Sequence, residues 1–537
     1  ETNPVLTTMQ LEEGAAQESQ SSEVLETMRI GELNDSEASE RPPFPHDWSI
    51  GSSFEPTHRP LDVGLRLFGV REVPFVDREG VRNAIWDALA DVSDGLGVRA
   101  VEIRGEVGAG KSRLAEWTAR RADELGVATW LRATHSRAGD RSEGLSAMIE
   151  QALKAWELDR SRTAERVGEA LEGIAGWAGR DVDEERLDEE ARALTEIIYP
   201  TPGGEPDVEG PRYHFSSASE RYDAVARLLE RFGRERPVVM WIDDVQWGAD
   251  ALGLVEHLLE RRPKLPVLAL LTTETDAIDQ PLVRQRLEGL ADRRGYQRLD
   301  LGPLAVRDQA ELINRILPLD SQVAQDLLQQ TSGLPLYIIQ LLSDWVDRGR
   351  LVPGEEGYTV DGEAARTNPG SLEEIWGKRI ETVLRRVGGQ DAHPVRVSLE
   401  LAAMLGSPVD EREWRAACSR AGVNAKPELI DELVREGLVW PREHRWEFVH
   451  ERLVESLVER AERAGRSRRH HRCCAEALAS VHRNAGIGVQ QRRVDHLLSA
   501  GELEAAVRPM LEIGHYLYTL EEYRDVERLL DRHSAVI

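Results

Sequence analysis

The chain has 537 residues, a formal charge of −28 at pH 7, 31% charged and 41% hydrophobic residues. That length allows roughly three to four domains, and the acidic excess opposes any role that coats nucleic acid or an anionic membrane, leaving only local patches for such contacts. Cys418, Cys473 and Cys474 make no disulfide framework and point to a reducing, cytoplasmic setting, and no apolar run reaches the ~18 residues of a membrane span.

Residues 1–60 are rich in Glu, Ser and Gln and end in the proline cluster RPPFPHDW. Low hydrophobicity with acidic charge predicts a disordered acidic linker. The opening ETNPVLTTMQ has neither the basic start nor the apolar core of a signal peptide, and without an initiator Met it reads as a fragment or processed chain.

Over residues 61–305 the pattern changes. Ile85, Leu89 and Val92 share one helical face. The short apolar runs RAVEIRG, VATWLRA, PVVMWID and PVLALLTT alternate with amphipathic segments, which predicts an α/β fold built on a parallel sheet flanked by helices. The first of these strands ends in Gly105-Glu106-Val107-Gly108-Ala109-Gly110-Lys111-Ser112, followed by Arg113, a full match to G-x-x-x-x-G-K-[ST] between strand and helix. Glycines let backbone N–H groups approach phosphate oxygens, and the helix starting near Lys111 adds its positive end. Lys111 would reach the β- and γ-phosphates and the Ser112 hydroxyl would ligate Mg²⁺. Taken alone, the run is also compatible with a glycine-rich turn beside a chance lysine.

The strand in PVVMWIDDVQWGAD, residues 237–250, ends in two carboxylates. Opposite a phosphate loop, Asp243 would hold Mg²⁺ and Asp244 would orient the attacking water, giving Asp244 and Lys111 the catalytic roles. An acidic turn after a strand is the plainer alternative. Together the two motifs predict a P-loop NTPase domain that binds ATP or ADP with Mg²⁺.

Beyond residue 305 strands give way to helices. Segments 306–317, 321–331 and 334–349 predict a helical lid over residues 306–385. Residues 386–460 combine helices with a hairpin signal at GLVWPREHRWEFV, which reads as a winged helix. In residues 461–537, GELEAAV and LEEYRDVERLL look like successive starts of a tetratricopeptide-like array, truncated where the sequence ends. The run RAGRSRRHHRCC, residues 463–474, cannot bring all its His and Cys to one ion, because only residues three or four apart share a helical face. It reads as a basic helix facing the acidic bulk of its own chain, with a nucleic-acid patch as the alternative.

These residues resemble the signal-transduction ATPases with numerous domains, within the AAA+/P-loop class, over about residues 66–480. The phrasing from LRLFGVREVPFVDRE to SGLPLYIIQLLSDWV looks most like bacterial regulatory ATPases, in which a Ser/Thr kinase or other effector often precedes the ATPase. The resemblance implies that PFVDRE, with Val76, lies against adenine, that Pro335 of GLPL touches base or ribose, and that His450 of FVHERLVESL touches the β-phosphate. Two positions depart from the family. Asp77 stands where the family has glycine, and Glu274 stands where an arginine senses the γ-phosphate, leaving Thr272 or Thr273, or an arginine from a neighbouring subunit, as the substitute sensor. Arg78 and Glu79 read more simply as a helix-start ion pair.

The resemblance implies a nucleotide-dependent switch with slow hydrolysis, protein partners on the C-terminal array and a homo-oligomer in the ATP-bound form. A DNA-handling ATPase using the winged helix and a nucleotide-binding scaffold without turnover are the alternatives. The segment KPELIDELVREGL is too acidic for a recognition helix, which weighs against DNA.

Overall fold

In the computed structural model the described residues are 44–45, 47–49, 75–76, 78–135, 143–156, 158–176, 184–199, 213–275, 278, 281–347, 349–354, 357–360, 372–442, 445–449, 451–482, 487–519, 530 and 534. The four apolar runs read from the sequence are strands β1 (Arg99–Gly105), β2 (Thr129–Thr134), β3 (Val238–Asp243) and β4 (Val267–Glu274), joined by a fifth, β5 (Tyr296–Leu301). All pair in parallel in the order β2-β3-β4-β1-β5. Every residue of β3 is buried, as are all but the last of β4, which is why these strands carry no polar alternation. Because the strands are parallel, the loops that follow β1, β3 and β4 emerge at one edge of the sheet.

Helices α1 (Glu79–Ser93) and α2 (Lys111–Glu124) precede and follow β1. Ile85, Trp86, Leu114 and Trp117 belong to one core with Val101, Ile103, Val239 and Trp241. Between β2 and β3 lie α3 (Gly144–Ala152), α4 (Arg160–Gly176), α5 (Glu184–Ile198) and α6 (Ala218–Phe232). The side chain of Ser217 caps α6 by accepting from the Glu220 N–H, and the Glu220 carboxylate accepts from Ser216 N–H in return. Helix α7 (Ala249–Arg261) leads to β4, and α8 (Pro281–Ala291) to β5.

The segments read as helical after residue 305 are α9 (Val306–Ile316), α10 (Ser321–Thr331) and α11 (Pro335–Asp347). An antiparallel pair, β6 (Leu351–Pro353) and β7 (Tyr358–Val360), was not anticipated in this region, and α12 (Leu372–Gly388) follows it. Next come α13 (His393–Leu405), β8 (Val409–Asp410), α14 (Glu411–Ala421), α15 (Pro427–Arg435), β9 (Val439–Arg442) and β10 (Arg445–Phe448). The expected hairpin is β9–β10, but the two residues of β8 pair with β10 on its other side, so the small sheet has three strands. Four helices complete the order, α16 (Glu451–Arg463), α17 (Ser467–Val481), α18 (Ile487–Ala500) and α19 (Leu503–Thr519).

One expectation changes here, and one is met. The reading of residues 1–60 as a disordered acidic linker does not hold at Phe44 and Trp48, which pack on the core of α1, α2 and the sheet. Low average hydrophobicity hid two aromatic anchors within a polar stretch. The basic run is engaged with its own chain: Arg466 forms two charged hydrogen bonds to buried Glu400 (2.6 and 2.9 Å), His470 Nε2 lies 3.0 Å from the same carboxylate, and Arg472 pairs with Glu502. Arg469 donates to the Ala421 carbonyl at 3.0 Å, and Arg468 is exposed. All three cysteines are buried thiols, and burial pushes Cys418 up to about 11.

Helix α18 is pinned to α14 by Arg492 and Glu413, 4% and 5% exposed and 2.7 Å apart, with His482 on the same carboxylate at 2.7 Å. Removing one member of a buried pair leaves the other charge uncompensated, at a cost of about 3–5 kcal/mol. Arg492→Ala should therefore lower the unfolding free energy by about that amount in chemical denaturation, whereas Arg492→Met combined with Glu413→Gln should lose distinctly less.

Candidate functional site

The loop Gly105–Gly110 joins β1 to α2 at the edge where β3 and β4 also end. Gly108 and Gly110 have φ of +77° and +97°, a region that a residue with a Cβ enters at a cost of about 1–2 kcal/mol. Gly105 is glycine for another reason: a Cβ there would lie 2.4 Å from the Leu301 carbonyl oxygen. Gly110 caps α2 without a side-chain hydrogen bond, so no cap residue covers the helix's first N–H groups. Lys111 is 7% exposed, and its ammonium donates to the Glu106 carbonyl at 2.9 Å. Ser112 and Arg113, half-buried, complete the first turn, and the Arg113 guanidinium lies 5.9 Å from the Phe75 ring centre. A backbone open to close approach, an uncapped helix start and a buried ammonium suit a polyphosphate.

Across the edge, the Asp243 carboxylate is held from two sides. Thr272 Oγ1 donates to Oδ1 at 2.6 Å, and Arg132 of β2 donates to Oδ2 at 3.1 Å while lying 4.1 Å over the Trp241 ring. Carboxylate oxygens have further lone pairs, so the donor set fits a hydrated divalent cation. Asp244 occupies the left-handed region at φ 54°, which Asp tolerates better than most residues. Its N–H donates to Thr272 Oγ1 at 2.9 Å, and its Oδ1 accepts from Gln246 Nε2 at 2.9 Å. Gln246 Oε1 in turn accepts from the Glu274 N–H at 3.2 Å. Gln246 and Arg132 are positioning residues that sequence reasoning missed. Gln246 lies only two residues past Asp244, but nothing in the linear pattern ties it to the end of β4 or brings Arg132 onto Asp243.

Of the two threonines read as sensors, Thr272 thus has its hydroxyl spent on the acidic pair. Thr273 alternates to the other face of β4, where its hydroxyl is fully buried without a hydrogen-bond partner among the described residues. Glu274 pairs with Gly105 across the sheet, beside the start of the loop. Val76 is 8% exposed and packs in the core of α9–α11 with Leu312, Tyr337 and Ile338. Pro335 opens α11, directly before Leu336, whose N–H donates to the Gly108 carbonyl at 3.3 Å. Arg78, read as half of a helix-start ion pair, reaches the carbonyls of Gly302 (2.6 Å) and Ala109 (3.4 Å), tying the segment before α1 to the loop. His450 and Asp77 lie outside the described residues.

Residues 74–271 match the model of the AAA ATPase domain family. The protein contains an AAA ATPase domain. No curated protein matches the chain. Among solved structures, the chain is similar to a Signal Transduction ATPase with Numerous Domains (STAND) protein with a tetratricopeptide repeat sensor from Pyrococcus horikoshii, at 15% identity and TM-score 0.43. That match covers 86% of this chain but 57% of the archaeal one, so this chain spans little more than half of that protein's length. The ORC2 protein of Aeropyrum pernix, solved as ADPNP–ADP complexes, is similar at 16% identity and TM-score 0.32, covering 74% of this chain and 98% of its own. The ORC1 protein of the same organism, solved in complex with DNA, is similar at 17% identity and TM-score 0.33, covering 73% and 95%.

The charges of the AAA domain's site are mutually dependent. Burial pushes the Asp244 carboxyl up to about 7, and the adjacent Asp243 charge adds to this against Gln246 and Lys111. Burial lowers the Lys111 ammonium, opposed by Asp244, Glu274 and Asp243. The His135 imidazole, half-buried beside Gly248 with its Nδ1 3.2 Å from the Asp243 carbonyl, is also held low by desolvation.

Because Asp244 is raised in the fold relative to its ordinary value of 3.8, the native state binds the extra proton between these limits. Its stabilising contribution is present at low pH and is lost as pH rises from about 4 through about 7. Asp244→Asn cannot lose it. In thermal unfolding of the nucleotide-free protein, the variant's stability relative to wild type should therefore climb across that window and level off above it, by an amount on the order of one to a few kcal/mol.

Proposed function

We propose that the chain is a regulatory ATPase of the STAND type, in which the state of a bound adenine nucleotide sets the placement of the helices that follow the AAA domain. The observation that carries this reading is the direct seating of the lid on the phosphate loop. The first turn of α11 donates to the Gly108 carbonyl, and a Cβ on Gly108 would lie 2.9 Å from the Leu336 Cβ. A loop that shifts by less than an ångström on meeting a γ-phosphate cannot leave α11 where it is, since packed interfaces move between discrete arrangements. The contact chain continues outward: Arg379 of α12, 4% exposed, donates to Ser343 Oγ of α11 at 3.0 Å and to the Glu436 carbonyl beyond α15 at 3.3 Å.

In this reading the loop N–H groups, Lys111 and Ser112 hold the phosphates, and Val76, Pro335 and His450 line the base and β-phosphate side. Ser112 and Asp243 would hold Mg²⁺, which when bound neutralises phosphate charge. Arg132 and Thr272 fix the Asp243 carboxylate, and Gln246 aims Asp244 at the position of an attacking water. With Glu274 at the end of β4, no arginine arrives there to stabilise developing charge. A charged hydrogen bond of that kind is worth about 1.5–3 kcal/mol, so turnover is slow. The segment 386–460 acts as a winged-helix body that moves with the lid, and the helices after it offer the surface for protein partners and for assembly. Helix α15 carries Glu428, Asp431 and Glu432, which supports a protein contact for this body and not a DNA groove.

Titration calorimetry with ATP or ADP and Mg²⁺ should show uptake of one nucleotide, weakened roughly 30-fold or more in Lys111→Ala, the loss of a charged hydrogen bond or two. Asp244→Asn should bind within about threefold of wild type yet hydrolyse at least about 100-fold more slowly in single turnover. Amide exchange across residues 335–347 should differ between ADP and a non-hydrolysable ATP analogue. Equal exchange in both would discard the switch and leave an ATPase without one.

A further inference from the structure

Upstream of the AAA domain, Phe44, Pro45 and Trp48 lie across α1 and α2, and their contacts exceed those of a passing linker. The Phe44 ring lies 5.4 Å from that of Trp86. The Pro45 carbonyl accepts from Trp86 Nε1 at 2.7 Å. The Trp48 indole N–H donates to Asn83 Oδ1 at 2.6 Å, and its carbonyl accepts from Arg121 Nε at 2.9 Å. The Trp48 ring meets Trp117 edge-on at 5.1 Å, with the Arg82 guanidinium 4.1 Å above it. A turn closed by Ser49 N–H on Asp47 Oδ1 at 2.8 Å ends the segment.

Two features argue for recognition. Each anchor ring is matched by an aromatic on the domain, and the main-chain carbonyl at or next to it is taken by a side-chain donor; aromatic anchors framed by fixed polar contacts are how binding energy concentrates at peptide interfaces. The contact is also not forced by chain proximity, because residues 50–74 intervene before the next described residue, Phe75, and Phe75 itself stacks on Trp117 at 5.7 Å. The segment returns to a face that the sequence could have left open.

We infer that the α1–α2 face is a docking site for an aromatic-proline-x-x-tryptophan peptide, filled in cis by Phe44, Pro45 and Trp48 and open to the same motif on another protein when the cis copy is withdrawn. The proline restricts the backbone before docking and so lowers the entropy cost of binding. No phosphate or acidic group is required: the face supplies two aromatic platforms, two N–H donors to carbonyls and one amide acceptor for an indole. The site sits on α2, whose first turn carries Lys111 and Ser112, so whatever occupies it is coupled mechanically to the phosphate loop. Its existence does not depend on the nucleotide reading.

The test uses the full chain carrying Phe44→Ala and Trp48→Ala, checked for folding by circular dichroism and thermal unfolding, and a fluorescein-labelled peptide with the sequence of residues 41–51. Anisotropy should give a dissociation constant of about 10–100 μM for the double variant. Binding to wild type should be at least about tenfold weaker, because the tethered copy competes at an effective concentration on the order of millimolar. Adding Arg121→Ala to the double variant should weaken the peptide by at least about fivefold, one lost charged hydrogen bond. A peptide that does not bind the folded double variant, or that binds it and wild type equally, overturns the proposal. Should the double variant not fold, Trp48→Ala alone supports the same comparison, since Trp48 is only half-buried.

Discussion

The seating of α11 on the phosphate loop is the constraint from which the rest of the site follows. The Gly108 carbonyl and the Leu336 N–H satisfy each other, and no side chain fits at Gly108 between loop and helix. The loop is therefore held from two sides: β1 and α2 set its path, while α11 packs on its turn. Val76 carries the same junction on the other side, since it precedes α1 yet is buried among residues of α9–α11. Neither packed surface can shift at this junction without the other.

Charge is the second organising force. One buried ammonium faces a row of carboxylates, Asp243, Asp244 and Glu274, on the ends of adjacent strands. Low dielectric makes the cluster costly unless each member is hydrogen-bonded or neutralised. Thr272, Arg132 and Gln246 hold Asp243 and Asp244, and the raised Asp244 carries what remains as a proton. An acid kept near neutrality at pH 7 is a poised group. The same environment that destabilises its charge makes it responsive to a cation or phosphate arriving nearby.

The domain is also restrained from behind. Arg78 ties the segment before α1 to the loop and to the end of β5, and Arg82 lies among the rings of Trp48, Phe75 and Trp117. The polypeptide that precedes the AAA domain thus reaches the rear of the helix whose front holds Lys111.

Much of this was legible from residue order alone, for a definite reason. The glycine spacing of the loop, the apolar runs of β3 and β4 and the Asp243–Asp244 pair act through the backbone and through neighbours a few positions away, so local pattern carries them. The helices after residue 305 were legible for the same reason. What the sequence could not determine depends on contacts between distant segments: Arg132 and Thr272 clasping Asp243, Gln246 bridging Asp244 to β4, Leu336 on Gly108, and β8 joining the hairpin through two residues too short to register. The docking of Phe44 and Trp48 was invisible because composition averages over a polar stretch, whereas two rings bury themselves one at a time. Local periodicity set the elements, and only tertiary packing decided which groups hold each carboxylate and which surface α11 touches.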